Sequence, residues 1–185
     1  TQTQEMREKL LSIPGIIHIS ASSQVPYRGF TRNGYVPEGY TSSLMFHALD
    51  IDEHFLDTYE IEVVKGRNFN KEFSTDKEAY LINETLAKQL EWENPVGKTI
   101  NRNGDWKVIG VVKDFQFSTL HYDIGPLIIT SNPWGNRFDY LSVKLQSNNL
   151  SGTLNDIKKV YKEFSPLLPF EYFFLDDAFD QLYKS

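Results

Sequence analysis

Apolar positions recur along this chain at two periods, and the changes of period mark its elements. In QEMREKLLSIPGI, Met6, Leu10 and Ile13 fall at helical spacing with Leu11 beside them. That predicts a helix stopped by Pro14-Gly15, because proline lacks the N–H and glycine accepts the left-handed stop. IIHISAS then alternates, predicting a strand with Ile17 and Ile19 on one face and His18 on the other. The period vanishes in SQVPYRGFTRNGYVPEGYTSS, whose Gly, Pro, Ser and Tyr predict a long irregular excursion, too aromatic to be a disordered linker. SLMFHALDI restores a strand, DEHFLDTYE predicts a short helix capped by Asp52, and IEVVKGRNF predicts a strand turning at Gly66.

The second half is more sharply punctuated. AYLINETLAKQL reads as strand into helix, with Asn83 as the N-cap and Leu86, Ala87 and Leu90 as the buried stripe. In KTINRNGDWKVIGVVKDF, Asn103-Gly104 between two extended runs predicts a hairpin, since both central residues of a type I′ turn need positive φ. DYLSVKLQ alternates with Leu141, Val143 and Leu145 inward, and SGTLNDIKKVYKEFSP sets Leu154, Ile157, Tyr161 and Phe164 on one helix face. FEYFFLDD is expected as a strand returning beside them to complete a βαβ-type unit, followed by a last helix from Asp176. The expected class is α+β in two lobes: a βα lobe built from both chain ends, residues 1–50 and 126–185, and a β-rich lobe inserted at 51–125.

Composition adds a packed core and removes several partners. The 185 residues are 40% hydrophobic and carry thirteen Phe, ten Tyr and three Trp. With a net charge of −6 and nineteen basic residues in no cluster, the chain lacks the footprint of a nucleic-acid binder. The absence of cysteine excludes disulfides, thiolate metal sites and thiol nucleophiles. Apolar runs such as IGPLIITSNPWGN and FSPLLPF fall short of the ~20 residues a membrane helix needs. A chain starting at Thr1 without a basic-then-apolar leader is expected to be part of something longer, or processed.

Candidate chemistry is sparse. Gly97-Lys98-Thr99 imitates the end of a phosphate loop, but Trp92 stands where that loop needs glycine, and the segment runs from helix to strand instead of strand to helix. The serines Ser22, Ser23, Ser42 and Ser43 lie in turn-rich stretches with no nucleophile elbow. Asp50, Asp52, Glu53 and His54 are the densest group of possible metal ligands, with His121 and Asp123 able to contribute from afar, yet no helical four-residue spacing completes a shell. Glu60 with Glu62, and Asp176 with Asp177, are carboxylate pairs that solvent exposure and helix capping explain. No catalytic, cofactor-binding or metal residue is therefore assigned, and no cofactor is expected. Tyr27, Phe30, Tyr35, Tyr40 and Trp134 remain as a surplus of loop aromatics, either stapling loops to the core or forming a binding surface.

LINETLAKQLEWENPVGKTI followed by WKVIGVVKDFQFSTLHYDIGPLII resembles the extracytoplasmic domain of MacB/FtsX-type ABC transporter permeases, the MacB-like periplasmic core domain. The matching positions are Asn83, Glu84, Ala87, Pro95, Gly97, Lys98 and Ile100, then Ile109, Gly110, Val111, Asp114, Phe115, Leu120, His121 and Pro126. VVKGRNF before them and FFLDDAFDQLY after them fit the same order. The resemblance implies a porter-like lobe from both chain ends with a sabre-like lobe inserted, and makes Pro95 and Gly97 a structural turn. It also implies a domain looped out between two membrane helices on the periplasmic face of the inner membrane, as part of an integral membrane protein. Its terminal helices should then emerge side by side from one face. The implied partners are those flanking helices, a cytoplasmic ATPase subunit or domain, a second permease copy and a periplasmic adaptor. The role implied is mechanical: ATP-driven helix movement passed to efflux or another extracytoplasmic event, with no enzymatic step. The competing expectation is a ligand-sensing or substrate-binding module, which would need a deep aromatic-lined cleft. Neither the cargo nor a role for the Tyr27–Tyr40 excursion is written in these residues.

Overall fold

The computed structural model describes residues 2–118, 123–133, 138–146 and 148–183. Strands β2 (Thr31–Pro37), β3 (Leu44–Asp50), β4 (Val63–Gly66), β5 (Ala79–Asn83), β6 (Thr99–Asn101), β7 (Asp105–Val112) and β8 (Leu127–Thr130) form one sheet in the order β4-β7-β5-β8-β3-β2-β6. β6 also pairs with β7, from Thr99↔Lys107 to Asn101↔Asp105, so six strands close into a ring. The first half of β7 serves β6 and its second half serves β4, which leaves β4 as a branch. Two pairings are parallel, β3 with β8 and β5 with β7, and the rest are antiparallel.

Closure follows from alternation. Along β8, Ile128 joins Tyr35, Phe46, Tyr80, Ile82, Ile100 and Val108 in one cluster, which α3 (Glu84–Gln89) extends with Leu86 and Ala87. Leu127 and Ile129 point the other way, into a second cluster with Leu49, Ile51, Phe69, Leu81 and Phe117. Burial on both faces explains why this strand reads as an unbroken apolar run. Gly66, at φ +73, lets β4 cross close to β7: a Cβ there would stand 2.2 Å from the Ile109 carbonyl oxygen.

The remaining elements form a thinner layer. β1 (Ile16–Ser22) and β9 (Tyr140–Leu145) pair antiparallel as a two-stranded sheet under α1 (Gln2–Leu11) and α4 (Leu150–Phe164). Leu10, Ile13, Ile19 and Ile157 are its buried centre. α2 (Phe55–Thr58) sits between ring and layer, and α5 (Leu175–Tyr183) follows the segment after α4. No helix among the described residues is long and apolar enough to cross a membrane.

The mixed α+β class is as expected, as are the Asn83 cap and the α3 stripe, while several local expectations need correcting. The excursion contains β2, whose alternation is masked by Gly34 at mid-strand, where a Cβ would meet Ser43 Oγ at 2.5 Å. The Asn103-Gly104 hairpin forms, but with three residues between Asn101 and Asp105 and positive φ at Gly104, not at Asn103. Ile17 is 41% exposed, because a register shift between Ile16 and His18 turns it outward. FEYFF makes no strand: residues 170–174 carry no ladder, and Tyr172 and Phe173 are exposed, so the βαβ unit is incomplete. Asp176 lies inside the first turn of α5 and is not its N-cap. The expected lobe boundaries after residues 50 and 125 run through the ring, since β2 pairs with β6 and β8 with β5.

Candidate functional site

Ring and layer meet at a polar joint built from residues adjacent in sequence to their strands. At the end of β1, Ser22 bridges to Ile51, Ser23 N–H donates to the Asp50 carbonyl (2.9 Å), and Asp50 N–H donates to Ser23 Oγ (3.0 Å). Asp52 closes a reciprocal pair: its N–H donates to the Ala21 carbonyl, and its Oδ2 accepts from Ala21 N–H, both at 2.9 Å. Its other oxygen accepts from His54 N–H at 3.1 Å. α2 continues the joint toward β9, where the Tyr59 and Ser142 hydroxyls share a 2.8 Å hydrogen bond and Lys144 pairs with Glu60. Arg7 of α1 donates from Nε and Nη2 to the Ile19 carbonyl, tying the first helix to the strand that enters the joint.

The electrostatics of the joint are unusual for so small a region. Burial pushes the Asp52 carboxyl up to about 6, against the Ala21 and His54 N–H groups that favour its ionised form. Burial also lowers the pKa of His54, and the Arg7 charge lowers it further. The Ser20 and Ser22 hydroxyls are buried without a hydrogen-bond partner.

A second tether connects the ring to α5. Tyr27, at φ +67, donates its N–H to the Phe117 carbonyl (3.0 Å) and sets its ring edge-on to Phe179, 5.2 Å away. Arg28 lies 3.7 Å over the Phe173 ring, and Phe30 stacks on Phe117 at 4.8 Å. This part of the excursion therefore acts as a hook on the segment leading into the last helix.

The residues singled out from the sequence are dispersed. Lys98 pairs with Glu38 (2.6 Å), and the same carboxylate accepts from Thr99 N–H (3.1 Å), which lowers the Glu38 pKa. Gly97, at φ +91, turns the chain into β6. Asp52 is not the cap of α2, whose N-cap position is His54 without a side-chain bond; Asp52 staples strand and helix instead. Asp123 is exposed, and among the described residues no three His, Asp or Glu side chains are placed to hold a metal ion. Ser42 and Ser43 are exposed in the β2–β3 turn. Glu60 sits in a tight turn at φ +55 and Glu62 faces Lys113, so the two do not share a strand. The aromatics do not converge: Tyr35 is buried in the ring, Phe30 packs on Phe117, Tyr27 meets α5, and Tyr40 is exposed in a turn. Leu120, His121 and Trp134 lie outside the described residues.

The motif residues converge on structure instead. Asn83, fully buried, accepts from Leu86 N–H (3.0 Å) and Leu127 N–H (2.9 Å) and donates to Asp114 (2.8 Å) and the Gly125 carbonyl (3.0 Å). Asp114 in turn accepts from the N–H and hydroxyl of Thr85, and Glu84 accepts from Asp114 N–H. One asparagine thus fixes α3, β5 and β8 together.

A closed mixed sheet inserted between two strands of a smaller layer, with its sequence signature spent on framework bonds, defines the class of this domain. The MacB-like periplasmic core domain model matches residues 2–159, and the chain belongs to that family. No curated protein matches it. Among solved structures, the periplasmic region of MacB from Actinobacillus actinomycetemcomitans superposes with a TM-score of 0.68 at 16% identity, covering 98% of this chain and 83% of that one. The extracellular domain of the noncanonic ABC-type transporter YknZ from Gram-positive bacteria gives 0.63 at 18% identity, covering 88% and 83%. Those relatives are extracellular or periplasmic regions, and the family is a permease domain, not an enzyme class.

Proposed function

We propose that this chain is the extracytoplasmic domain of an ABC transporter permease and works as a mechanical coupler. ATP hydrolysis on a cytoplasmic subunit or domain moves the flanking transmembrane helices, and the domain passes that movement to efflux or another extracytoplasmic event. The reading places the domain on the periplasmic face of the inner membrane, in a permease that pairs with a second copy and meets a periplasmic adaptor. It divides the chain into a porter-like lobe, residues 2–22 and 139–183, and a sabre-like lobe around the ring of residues 31–130.

The joint carries this reading. Both terminal helices bear on it or on the Tyr27 hook, while the ring is inserted between β1 and β9, so a shift of α1 reaches the ring through Arg7, β1 and Asp52. Rigid-body displacement about such an interface is a standard form of transmitted motion.

A locked joint tests the coupling. The chain has no cysteine, and Ser22 and Ile51 stand opposite each other across the joint as a narrow antiparallel pair, so cysteines replacing these two in the full permease form the domain's one possible disulfide. Oxidation is expected to leave ATP hydrolysis running while the extracytoplasmic event falls roughly tenfold and returns on reduction. A verified cross-link that leaves the event untouched overturns the reading.

A further inference from the structure

We propose that the joint is a proton-operated latch: ionised Asp52 holds Ala21 of β1 and the start of α2 together, and acidification frees one of these attachments and loosens the layer from the ring. The inference concerns the chain itself and stands whether or not the chain couples to a transporter.

The geometry leaves little room for a neutral carboxyl to do the same work. An ionised carboxylate is an acceptor at both oxygens, which is what Ala21 N–H at 2.9 Å and His54 N–H at 3.1 Å require. A protonated carboxyl turns one oxygen into a donor. Whichever oxygen takes the proton becomes a hydroxyl oxygen, a much poorer acceptor than a carboxylate oxygen, so one of the two charge-assisted bonds weakens. If the Ala21 contact yields, the end of β1 is held against the end of β3 by the Ser23 N–H bond to the Asp50 carbonyl, the Asp50 N–H bond to Ser23 Oγ and the Asp52 N–H bond to the Ala21 carbonyl.

The surroundings set the range in which this happens. Burial is the main influence raising the Asp52 pKa to about 6, Glu53 adds to it, and Arg7 from α1 opposes it. Around neighbouring His54 stand Arg7, Glu53, Lys71 and Asp57, with Glu53 3.4 Å from its Nε2 and 3.5 Å from Lys71 Nζ. At the far end of α2, Lys144 of β9 is engaged with Glu60. The sign of the linkage is set by a folded pKa above the ordinary 3.8. The folded chain takes up this proton before the unfolded chain does, so the site favours folding most at low pH and loses that contribution as pH rises through about 6. At this site, therefore, acid relaxes the latch without lowering the stability of the fold.

Carbon-13 NMR of the aspartate carboxyls, with amide exchange followed in the same samples from about pH 4 to about pH 8, tests the latch. Asp52 is expected to titrate with a midpoint near 6, and exchange at Ala21 or His54, corrected for its intrinsic pH dependence, to quicken about fivefold with that midpoint. Amides inside the ring, such as Ile82 and Ile128, should show no such step. Asp52→Asn, which presents one acceptor and one donor, should hold the fast exchange at every pH, and His54→Gln should retain the wild-type response. A carboxyl midpoint in the ordinary aspartate range overturns the proposal. So does a midpoint near 6 with both amides unchanged, or a response that disappears with His54→Gln. Should Asp52→Asn fail to fold, the wild-type titration decides alone.

Discussion

The ring and the layer solve the same problem, burying apolar surface, with different margins. In the ring every strand but the branch β4 is paired on both sides, and Phe46, Leu81, Ile82, Ile100, Leu127, Ile128 and Ile129 are wholly buried. In the layer two strands share one small cluster, most of β9 is half-buried, and Leu167 stands 95% exposed. Burial at roughly 25 cal/mol per Å² concentrates stability where closure is complete. The ring is thus the body that keeps its shape, and the layer is the part free to respond.

The comparison breaks most sharply at Asn83. Asn83→Ala removes a fully buried side chain holding four hydrogen bonds and should cost about 4 kcal/mol in chemical denaturation, unfolding ring and layer together. An effect near zero would mean the ring does not depend on this centre.

Asp76 is the next largest. It is 3% exposed and held by both Arg67 nitrogens at 2.7 Å, and although burial raises its pKa, the Arg67 and Asn70 hydrogen bonds win and hold it low. Asp76→Ala should cost about 2 to 3 kcal/mol, by removing both Arg67 bonds and leaving the Asn70 N–H without its acceptor, while the half-exposed guanidinium falls back on solvent. Because the folded pKa is depressed, the pair's contribution is present above the ordinary carboxylate range and lost as pH falls below it. Thermal melts in acid should therefore show a decline in the wild type that the variant lacks.

Ile19→Ala sharpens the contrast within the layer. Emptying the centre of its small cluster should cost about 2 kcal/mol, and hydrogen exchange should rise in β1 and β9 while β5 and β8 stay protected. Equal loss in both regions would make ring and layer one cooperative unit. Tyr59→Phe, removing one shared hydroxyl bond across the joint, should cost about 1 kcal/mol. Lys98→Met breaks only an exposed ion pair and should change stability by less than about 0.5 kcal/mol.

What the sequence disclosed was local chemistry. Asn83 as a cap, Pro14-Gly15 as a stop and Asn103-Gly104 as a reversal each act within a few residues, where spacing is informative. The ring was hidden because its closure depends on β6 meeting both β2 and β7 across long stretches of chain, and no local period encodes which strand pairs with which. FEYFF shows the reverse error: alternating aromatics supply strand propensity, but a strand exists only with a ladder partner. Asp52 was legible as a polar residue before a short helix and illegible as a staple, since its partner Ala21 lies thirty-one residues earlier.

The ring interrupts the layer between β1 and β9, and this has a consequence for tension. If the molecule is pulled by α1 and α5, the load passes to the two-stranded sheet and the Tyr27 hook before any ring strand can peel away, because the ring contains neither terminal helix. In a single-molecule pulling trace, the first rip should be short and weak and the second longer and stronger.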